Sequence, residues 1–383
     1  MSTAPSGAEV RTRRDLLTGR VAAAIEAEGT TSSVSRASWD ELALEVFAFQ
    51  RWAIPAYGRW CEARPRGAAE VETPWRIPAV PTDAFKHLSL FAGERSDVVR
   101  TFHTSGTSRA DARGAAHFSA AGLALMDVAI DVRARQMLFP DVERSRFLVL
   151  APAPETDPER IMAHGIRRLV TTFGEDAGMY FVGPAGLDVK AAATALLAST
   201  CIERPVAVVG ASSALAAVVT ALAESGARLA LPAGSRVMHA GGTKRGAEPV
   251  DPAQLRGHVA EWLGVAPDHC VNLLGMTELA SQLYDDTIRA RAAGEGARRG
   301  KVPPPWCRTW STDPASPEPL PPETVGVLRH LDLANVERPL CVQTDDLGVT
   351  FTDGSFEILG RAAGSEAREC ALDLDEWRAP ATP

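Results

Sequence analysis

The chain has 383 residues, of which 45% are hydrophobic, and a formal net charge of −8. This length supports one large core with a smaller appended portion. The negative charge argues against a nucleic acid or an anionic membrane surface as the partner. No stretch is long and apolar enough to cross a bilayer, and the first 15 residues precede no apolar signal segment. We therefore expect a cytoplasmic protein.

Six cysteines are scattered along the chain, and no two of them form a CxxC pair. An even count is weak evidence for disulfides in a chain of this size, so free thiols in a reducing compartment are expected. No Cys/His cluster has the ligand spacing of a structural zinc site.

Hydrophobic periodicity divides the chain into three regions. Apolar residues recur at helical spacing within 14–26 and 39–64, which predicts a helical region over residues 1–80. Over 81–322, strand-like segments alternate with helical segments of ten or more residues. This pattern is typical of an α/β fold with a mainly parallel sheet covered by helices. Over 323–383, short strand-like segments predict a smaller β-rich portion.

Glycine, proline and acidic residues mark the expected loops of the second half. Residues 294–305 are rich in Gly, Arg and Pro, which predicts a mobile loop. Residues 345–348 read Asp-Asp-Leu-Gly, a sequence that predicts a turn between strands.

Four polar segments follow predicted strands at their carboxyl ends: residues 104–108, 210–213, 241–244 and 275–278. In a doubly wound sheet such loops share one edge and can contact one ligand. Their hydroxyls and glycine amides suit phosphate oxygens. Lys244 can neutralise an anion, and Glu278 can bind a hard cation such as Mg²⁺. Asp346, in its predicted turn, can accept both hydroxyls of a ribose.

Each of these segments alone is weak evidence. A Thr-Ser-Gly-Thr run is more often an ordinary turn, and a lysine after two glycines is usually solvated. A Thr-Glu pair often caps a helix. The order of the segments along the chain therefore carries the functional argument.

That order resembles the adenylate-forming enzymes. The segments are Thr-Ser-Gly-Thr (104–107), Gly-Gly-Thr-Lys (241–244), Leu-Gly-Met-Thr-Glu (274–278), Thr-Asp-Asp-Leu-Gly (344–348) and Leu-Gly-Arg (359–361). The chain looks most like the acyl-protein synthetases, the fatty-acid-activating component of the bacterial bioluminescence reductase complex. It is more distantly similar to the phenylacetate-CoA ligases. The matching signatures run from about residue 85 to residue 372.

The resemblance implies a two-step reaction that uses ATP and Mg²⁺. A carboxylate attacks the α-phosphate, giving an acyl-adenylate and pyrophosphate, and the acyl group then moves to a thiol. The resemblance also implies a role for each matching residue. Thr104, Ser105, Gly106 and Thr107 would hold the triphosphate; Gly241, Gly242 and Lys244 would border the adenine and the acyl phosphate; Gly275, Met276 and Thr277 would lie at the α-phosphate; Glu278 would ligate magnesium; and Asp346 and Arg361 would contact the ribose. Lys244 and Thr277 are the candidate catalytic residues among them.

Three positions depart from the family pattern. Ser108 replaces a further glycine of the phosphate loop, Leu274 replaces an aromatic residue that stacks on adenine, and Thr243 replaces tryptophan. Because these residues border the expected pocket, the sequence leaves open whether the acid is fatty, aryl or specific to a pathway.

The acyl acceptor is expected near the carboxyl end. Only 22 residues follow Arg361, so the separate C-terminal domain of many adenylate-forming enzymes is not expected. Acyl-protein synthetases instead carry a short segment with a cysteine that takes the acyl group as a thioester. Residues 365–372 match it in their Ser-Glu, Arg and Cys positions, which makes Cys370 the candidate acyl carrier. Arg368 would favour its thiolate, whereas the neighbouring glutamates would oppose it.

The sequence thus favours an AMP-forming ligase of acyl-protein synthetase type, with an acyl-reductase or carrier-protein partner. One alternative is a ligase that delivers the acyl group to CoA, a carrier protein or an amine. Another is a nucleotide-binding scaffold without catalytic activity, suggested by the altered phosphate loop.

Overall fold

The computed structural model describes residues 5–30, 33–63, 71–104, 113–241 and 250–362. The chain forms two compact units, and neither is continuous in sequence. Unit 1 comprises Met1–Ala129, Met276–Ser281 and Pro303–Pro383, whereas unit 2 comprises Ile130–Gly275 and Gln282–Val302. The domain boundaries predicted near residues 80 and 322 stay a prediction.

The regular elements of the described residues are as follows in chain order. The helices are α1 (Gly7–Glu28), α2 (Arg36–Ala53), α3 (Pro55–Glu62), α4 (Ala120–Met137), α5 (Ile161–Phe173), α6 (Val189–Ser199), α7 (Ser212–Ser225), α8 (Pro252–Leu263) and α9 (Ile288–Ala292). The strands are β1 (Val80–Pro81), β2 (Arg100–His103), β3 (Ala115–Phe118), β4 (Arg146–Pro152), β5 (Met179–Gly183), β6 (Gly186–Leu187), β7 (Val206–Ala211), β8 (Arg236–Ala240), β9 (Cys270–Leu274), β10 (Leu283–Asp286), β11 (Arg298–Val302), β12 (Cys307–Thr312), β13 (Gly326–Asp332), β14 (Cys341–Thr350) and β15 (Phe356–Arg361).

The helices that begin unit 1 confirm the helical periodicity of its sequence. The Ser6 hydroxyl accepts the amide of Glu9 and the Glu9 carboxylate accepts the amide of Ser6, so a reciprocal capping box starts α1. The Ser35 hydroxyl caps α2 by accepting the amide of Ser38. The second helical segment is interrupted at Ile54 because Pro55 has no amide proton and starts α3 instead.

Unit 1 also contains an antiparallel sheet in the order β12-β13-β14-β15, with β1 parallel to β14. The turn predicted at residues 345–348 is wrong, because these residues lie inside β14. The segment forms a bulge between Leu347 and Gly348 and pairs with β13 and β15. A Cβ at Gly348 would lie 2.4 Å from the carbonyl oxygen of Glu357. The bulge therefore needs glycine because the two strand backbones approach closely there, and not because the chain reverses direction.

Strand β2 pairs with β3 in a separate two-stranded antiparallel sheet of unit 1. The expectation that the loop after Thr104 leaves the same parallel sheet as the other three loops is therefore wrong. Periodicity identified the strand, but the partner of a strand is set by non-local contacts that periodicity does not encode.

Unit 2 confirms the α/β prediction. Its strands follow the order β11-β10-β9-β8-β7-β4-β5-β6, and the five from β9 to β5 are parallel. The mobile loop predicted over 294–305 is wrong at residues 298–302, because they form β11, which pairs antiparallel with β10. The polar composition of this strand made it look like a loop. Its Lys301 is nevertheless buried, because it lies beside the Asp285 carboxylate.

Helices α6, α7 and α8 cover one face of this sheet. Leu148 and Leu150 of β4 pack there with Leu215 of α7 and Val259 of α8, all at most 2% exposed. Burial of such side chains stabilises the unit by about 1.5–3 kcal/mol each. Val149 is equally buried and alternates to the opposite face, as the period of a strand requires.

In the parts of the chain described above, no helix is both long and apolar enough to span a membrane. The same parts hold five cysteines, and none of them forms a disulfide there. This agrees with the prediction of reduced thiols; Cys370 lies outside the described residues.

Candidate functional site

The Gly-Met-Thr-Glu segment places Thr277 and Glu278 in unit 1. Both residues are buried, at 7% and 6% exposure. The Thr277 hydroxyl donates to the carbonyl oxygen of His103 at 3.5 Å, the long end of the hydrogen-bond range. His103 directly precedes Thr104, so the structure brings the start of the phosphate loop next to the predicted α-phosphate residue.

Thr104 closes the base of that loop. Its amide donates to the carbonyl oxygen of Gly114 at 2.9 Å, and its hydroxyl accepts the Gly114 amide at 2.9 Å. The reciprocal pair fixes both ends of the segment that contains Ser105, Gly106 and Thr107. These three residues lie outside the described part of the chain, so their phosphate contacts stay a prediction.

Glu278 lies in an electrostatic cluster with charged residues from three other segments of unit 1. Burial raises the pKa of its carboxyl to about 7, Lys86 and Arg361 act against that rise, and Asp346 adds to it. Lys86 ends a 3₁₀ turn and forms an ion pair with Asp83 at 2.6 Å. Sequence analysis assigned no role to Lys86, because only the folded chain shows that its charge acts on Glu278.

Asp346 and Arg361 face each other as registered partners on β14 and β15. Arg361 Nε lies 3.5 Å from Asp346 Oδ1, and the arginine side chain is 79% exposed. Burial raises the pKa of Asp346, and Arg361 partly offsets this. The amide of Asp346 donates to the Thr344 hydroxyl at 3.1 Å, which steadies the bulged strand. The structure thus brings together two residues that were predicted to contact one ribose.

The chemistry of this cluster fits a magnesium ion that is shared with a phosphate ligand. No group of three or more His, Cys, Asp or Glu side chains within the described residues is arranged to bind a metal. Magnesium is typically bound by one or two carboxylates together with substrate phosphates, so a complete protein cage is not required. The buried carboxylate of Glu278, with Asp346 as its electrostatic neighbour, is compatible with such a site, and its magnesium role stays a prediction.

Unit 2 contributes the loops after β7, β8 and β9, whose carboxyl ends lie at one edge of the parallel sheet. Gly241 follows β8 with φ +97°, a left-handed conformation that disfavours any other residue. A side-chain atom at Gly275 would meet nothing within 4 Å, so the backbone is open to a ligand there. Gly242, Thr243 and Lys244 lie outside the described residues, and their contacts stay a prediction.

Beneath these loops unit 2 holds a buried polar network that sequence analysis missed. Lys301 Nζ donates to Asp285 Oδ1 at 2.5 Å and to Asn272 Oδ1 at 2.6 Å. The Asn272 side-chain amide contacts His239, whose Nδ1 lies 2.9 Å from the Ser212 hydroxyl. The network joins the carboxyl ends of β7, β8 and β9 and restrains the strand that leads into Gly275. Its members lie far apart in sequence, and Lys301 fell in a predicted loop, so no local signal identified it.

The described cysteines include two whose burial makes them poor nucleophiles. Burial raises the pKa of Cys270 and of Cys341 to about 12, so neither forms a thiolate at neutral pH. Cys270 is the first residue of β9 and is fully buried.

Comparison with solved structures supports the fold. The chain is similar to a 2-hydroxyisobutyryl-CoA ligase solved in an open conformation with 2-HIB-AMP and CoA, with a TM-score of 0.62 and 14% identity over 85% of this chain and 70% of that one. The thioesterification state of the same ligase gives a TM-score of 0.59 and 16% identity, covering 85% and 68%. Its post-adenylation state gives a TM-score of 0.60 and 14% identity, over 84% of this chain and 67% of that one. The α/β fold is therefore of the adenylate-forming type, as predicted.

A search of curated protein sequences finds no significant match. The model of the family described as "Acyl-protein synthetase, LuxE" matches residues 56–378. This range includes every predicted site residue from Thr104 to Cys370, and it confirms the resemblance drawn from the motifs. The chain belongs to the acyl-protein synthetase (LuxE) family.

Proposed function

We propose that this chain activates a carboxylic acid with ATP and transfers the acyl group to its own Cys370, and then to a partner. Family membership supports an AMP-forming ligase. The observation that carries the proposal is the arrangement in unit 1, where Thr277 contacts the residue before the phosphate loop and Glu278 lies near Asp346 and Arg361.

In the first step, a carboxylate oxygen of the acid attacks the α-phosphorus of ATP. The bond from that phosphorus to the oxygen bridging to the β-phosphate breaks, and pyrophosphate leaves with the electron pair. Thr277 and the phosphate-loop residues Ser105, Gly106 and Thr107 would donate hydrogen bonds to the phosphate oxygens, which would stabilise charge that develops there. Glu278 would hold Mg²⁺, which when bound neutralises charge on the phosphates.

In the second step, the Cys370 thiolate attacks the acyl carbon of the adenylate. The carbon–oxygen bond to the phosphate breaks and AMP leaves, which yields a thioester on the enzyme. A thiol of a carrier protein, a reductase or CoA would then attack the acyl carbon and take the acyl group, and the Cys370 thiolate would leave. The 2-hydroxyisobutyryl-CoA ligase supports only the fold, so a CoA acceptor is a rival outcome that the same assays can detect.

The acid can be identified by trapping the adenylate with hydroxylamine. We expect ATP-dependent hydroxamate and AMP to form with one class from a panel of short, long-chain and aryl acids. Adding CoA should leave AMP release unchanged if the acceptor is the enzyme thiol. A CoA-dependent increase with accumulation of acyl-CoA would instead assign the chain to the CoA ligases.

Replacing Asp346 by alanine should raise the KM for ATP. If its carboxylate accepts the ribose hydroxyls, the change removes charge-assisted hydrogen bonds of about 1.5–3 kcal/mol, or about 10–100-fold in KM. The matched control is Asp345→Ala, because adjacent strand residues point to opposite faces. Equal effects of the two substitutions on KM would contradict the ribose assignment.

A further inference from the structure

The segment that carries Thr277 and Glu278 contains no helix or strand, so no backbone ladder holds it in unit 1. Side-chain hydrogen bonds from the last residue of β13 and from the segment that follows it perform that task. Their donors and acceptors lie on Asp332 and Asn335, which are both fully buried.

Asp332 binds the segment on the carboxyl side of Glu278. Its Oδ2 accepts the amides of Ala280 at 2.9 Å and Ser281 at 2.8 Å, and its Oδ1 accepts the Ser281 hydroxyl at 2.7 Å. The amide of Ala334 donates to Oδ1 at 3.0 Å. All four partners are donors, so the position requires a carboxylate, because an amide side chain would turn an N–H toward another donor.

Asn335 binds Glu278 itself. Its Nδ2 donates to the Glu278 carbonyl oxygen at 2.7 Å, while its Oδ1 accepts Arg338 Nη2 at 2.7 Å. The opposed contacts fix the orientation of the amide. The Gln50 side chain in turn contacts four backbone groups of residues 335–340, at 2.5–3.0 Å, so the segment that bears Asn335 is rigid.

We propose that Asp332 and Asn335 are positioning residues that hold the Glu278 carboxylate in place for its metal. This inference rests on the proposed function, since it needs the metal role of Glu278. A carboxylate on an irregular segment binds a metal well only if its backbone is fixed, and partners of metal ligands typically contribute about 10–100-fold to affinity. Asp332 anchors the chain two residues beyond Glu278, and Asn335 anchors its peptide group.

The test uses Mn²⁺ as a paramagnetic probe, titrated by electron paramagnetic resonance into the full chain with a non-hydrolysable ATP analogue. Asn335→Asp places an oxygen against the Glu278 carbonyl and should weaken Mn²⁺ binding about tenfold. The matched control is Ser311→Ala, which also removes one hydrogen bond from a buried side chain to a backbone carbonyl of unit 1, the partly buried bond to that of Thr324. We expect the control to lower the melting temperature without changing Mn²⁺ affinity.

Ser281→Ala provides a milder variant if Asn335→Asp does not fold. It removes the hydroxyl bond to Asp332 and the bond that this hydroxyl accepts from Trp306 Nε1, and it leaves the three amide bonds to Asp332, so a loss of about threefold is expected. Unchanged Mn²⁺ affinity in the folded variant, or an equal loss in Ser311→Ala, overturns the positioning role. Acid-dependent pyrophosphate exchange by the wild-type chain tests the proposed function separately from the positioning role. If exchange occurs while wild type and variants bind Mn²⁺ with equal affinity, only the positioning role is refuted. A wild-type chain that binds no Mn²⁺ with the analogue refutes the metal role and this inference together.

Discussion

Glu278→Gln is expected to stabilise the metal-free protein while it disables adenylation. Burial raises the pKa of Glu278 from 4.5 to about 7, so the folded state disfavours its charged form. A rise of this size corresponds to about 3 kcal/mol of stability lost as the carboxyl ionises. Because glutamine never ionises, the variant avoids that loss.

The direction of this pKa shift determines the pH range over which the free energy of unfolding changes. Below about pH 4.5 the carboxyl is protonated in both states, and the two proteins should have similar free energies of unfolding. Between about pH 4.5 and pH 7 the carboxyl ionises only in the unfolded state, so the wild type loses stability relative to the variant over this range, and the difference should level off near pH 8. Urea unfolding in EDTA at pH 4.5, 6 and 8 measures it, with Glu357→Gln, an exposed carboxylate on β15, as the control that should show no such trend.

The same substitution should slow acid-dependent adenylation by about 100-fold or more, since one preorganised electrostatic contact to the reacting group is typically worth that much. The wild type should also lose activity below about pH 7 when Mg²⁺ is limiting, because protons compete with the metal for this carboxylate. Excess Mg²⁺ should shift this loss of activity to lower pH. A variant that is no more stable at pH 8 than at pH 4.5, or that retains full activity, would contradict the role given to Glu278.

Cys370→Ser is expected to separate the two half-reactions. The adenylate forms before the thiol is needed, so acid-dependent pyrophosphate exchange should persist while covalent labelling of the protein by radioactive acid disappears. Neutral hydroxylamine should release the label from the wild type, since it cleaves a thioester readily. The loss of label should be complete because a serine hydroxyl is a far weaker nucleophile than a thiolate at neutral pH.

Cys201→Ser is the matched control, because Cys201 is an exposed cysteine of the described chain. It should keep both activation and labelling. Label that persists in Cys370→Ser and vanishes in Cys201→Ser would move the acyl carrier to Cys201. Label that persists in both variants would contradict a cysteine carrier at either position.

The motifs predicted much of the fold and of the site because they encode local requirements. Short, mainly apolar runs identified strands such as β4 and β8, since a buried strand between helices must be apolar on both faces. The Gly-Met-Thr-Glu and Asp-Asp-Leu-Gly segments gave Glu278 and Asp346, which the fold places in one electrostatic cluster of unit 1.

What sequence analysis missed depends on contacts between distant residues. The Asp-Asp-Leu-Gly segment has the composition of a turn, yet pairing on both sides keeps it in β14 as a bulge. Lys301 looked like part of a mobile loop, although the Asp285 carboxylate makes its burial tolerable. The sequence did not identify Asp332 and Asn335, because their role depends on the distant backbone groups that they bind in the folded chain.

The most direct test of acid activation is the exchange of radioactive pyrophosphate into ATP by the purified wild-type chain. Adenylate formation is reversible, so exchange should require both Mg²⁺ and a carboxylic acid, and it should need no thiol acceptor. We expect one class of acid to support exchange and Glu278→Gln to abolish most of it. The absence of acid-dependent exchange across short, long-chain and aryl acids would contradict the proposed activity and favour a nucleotide-binding scaffold.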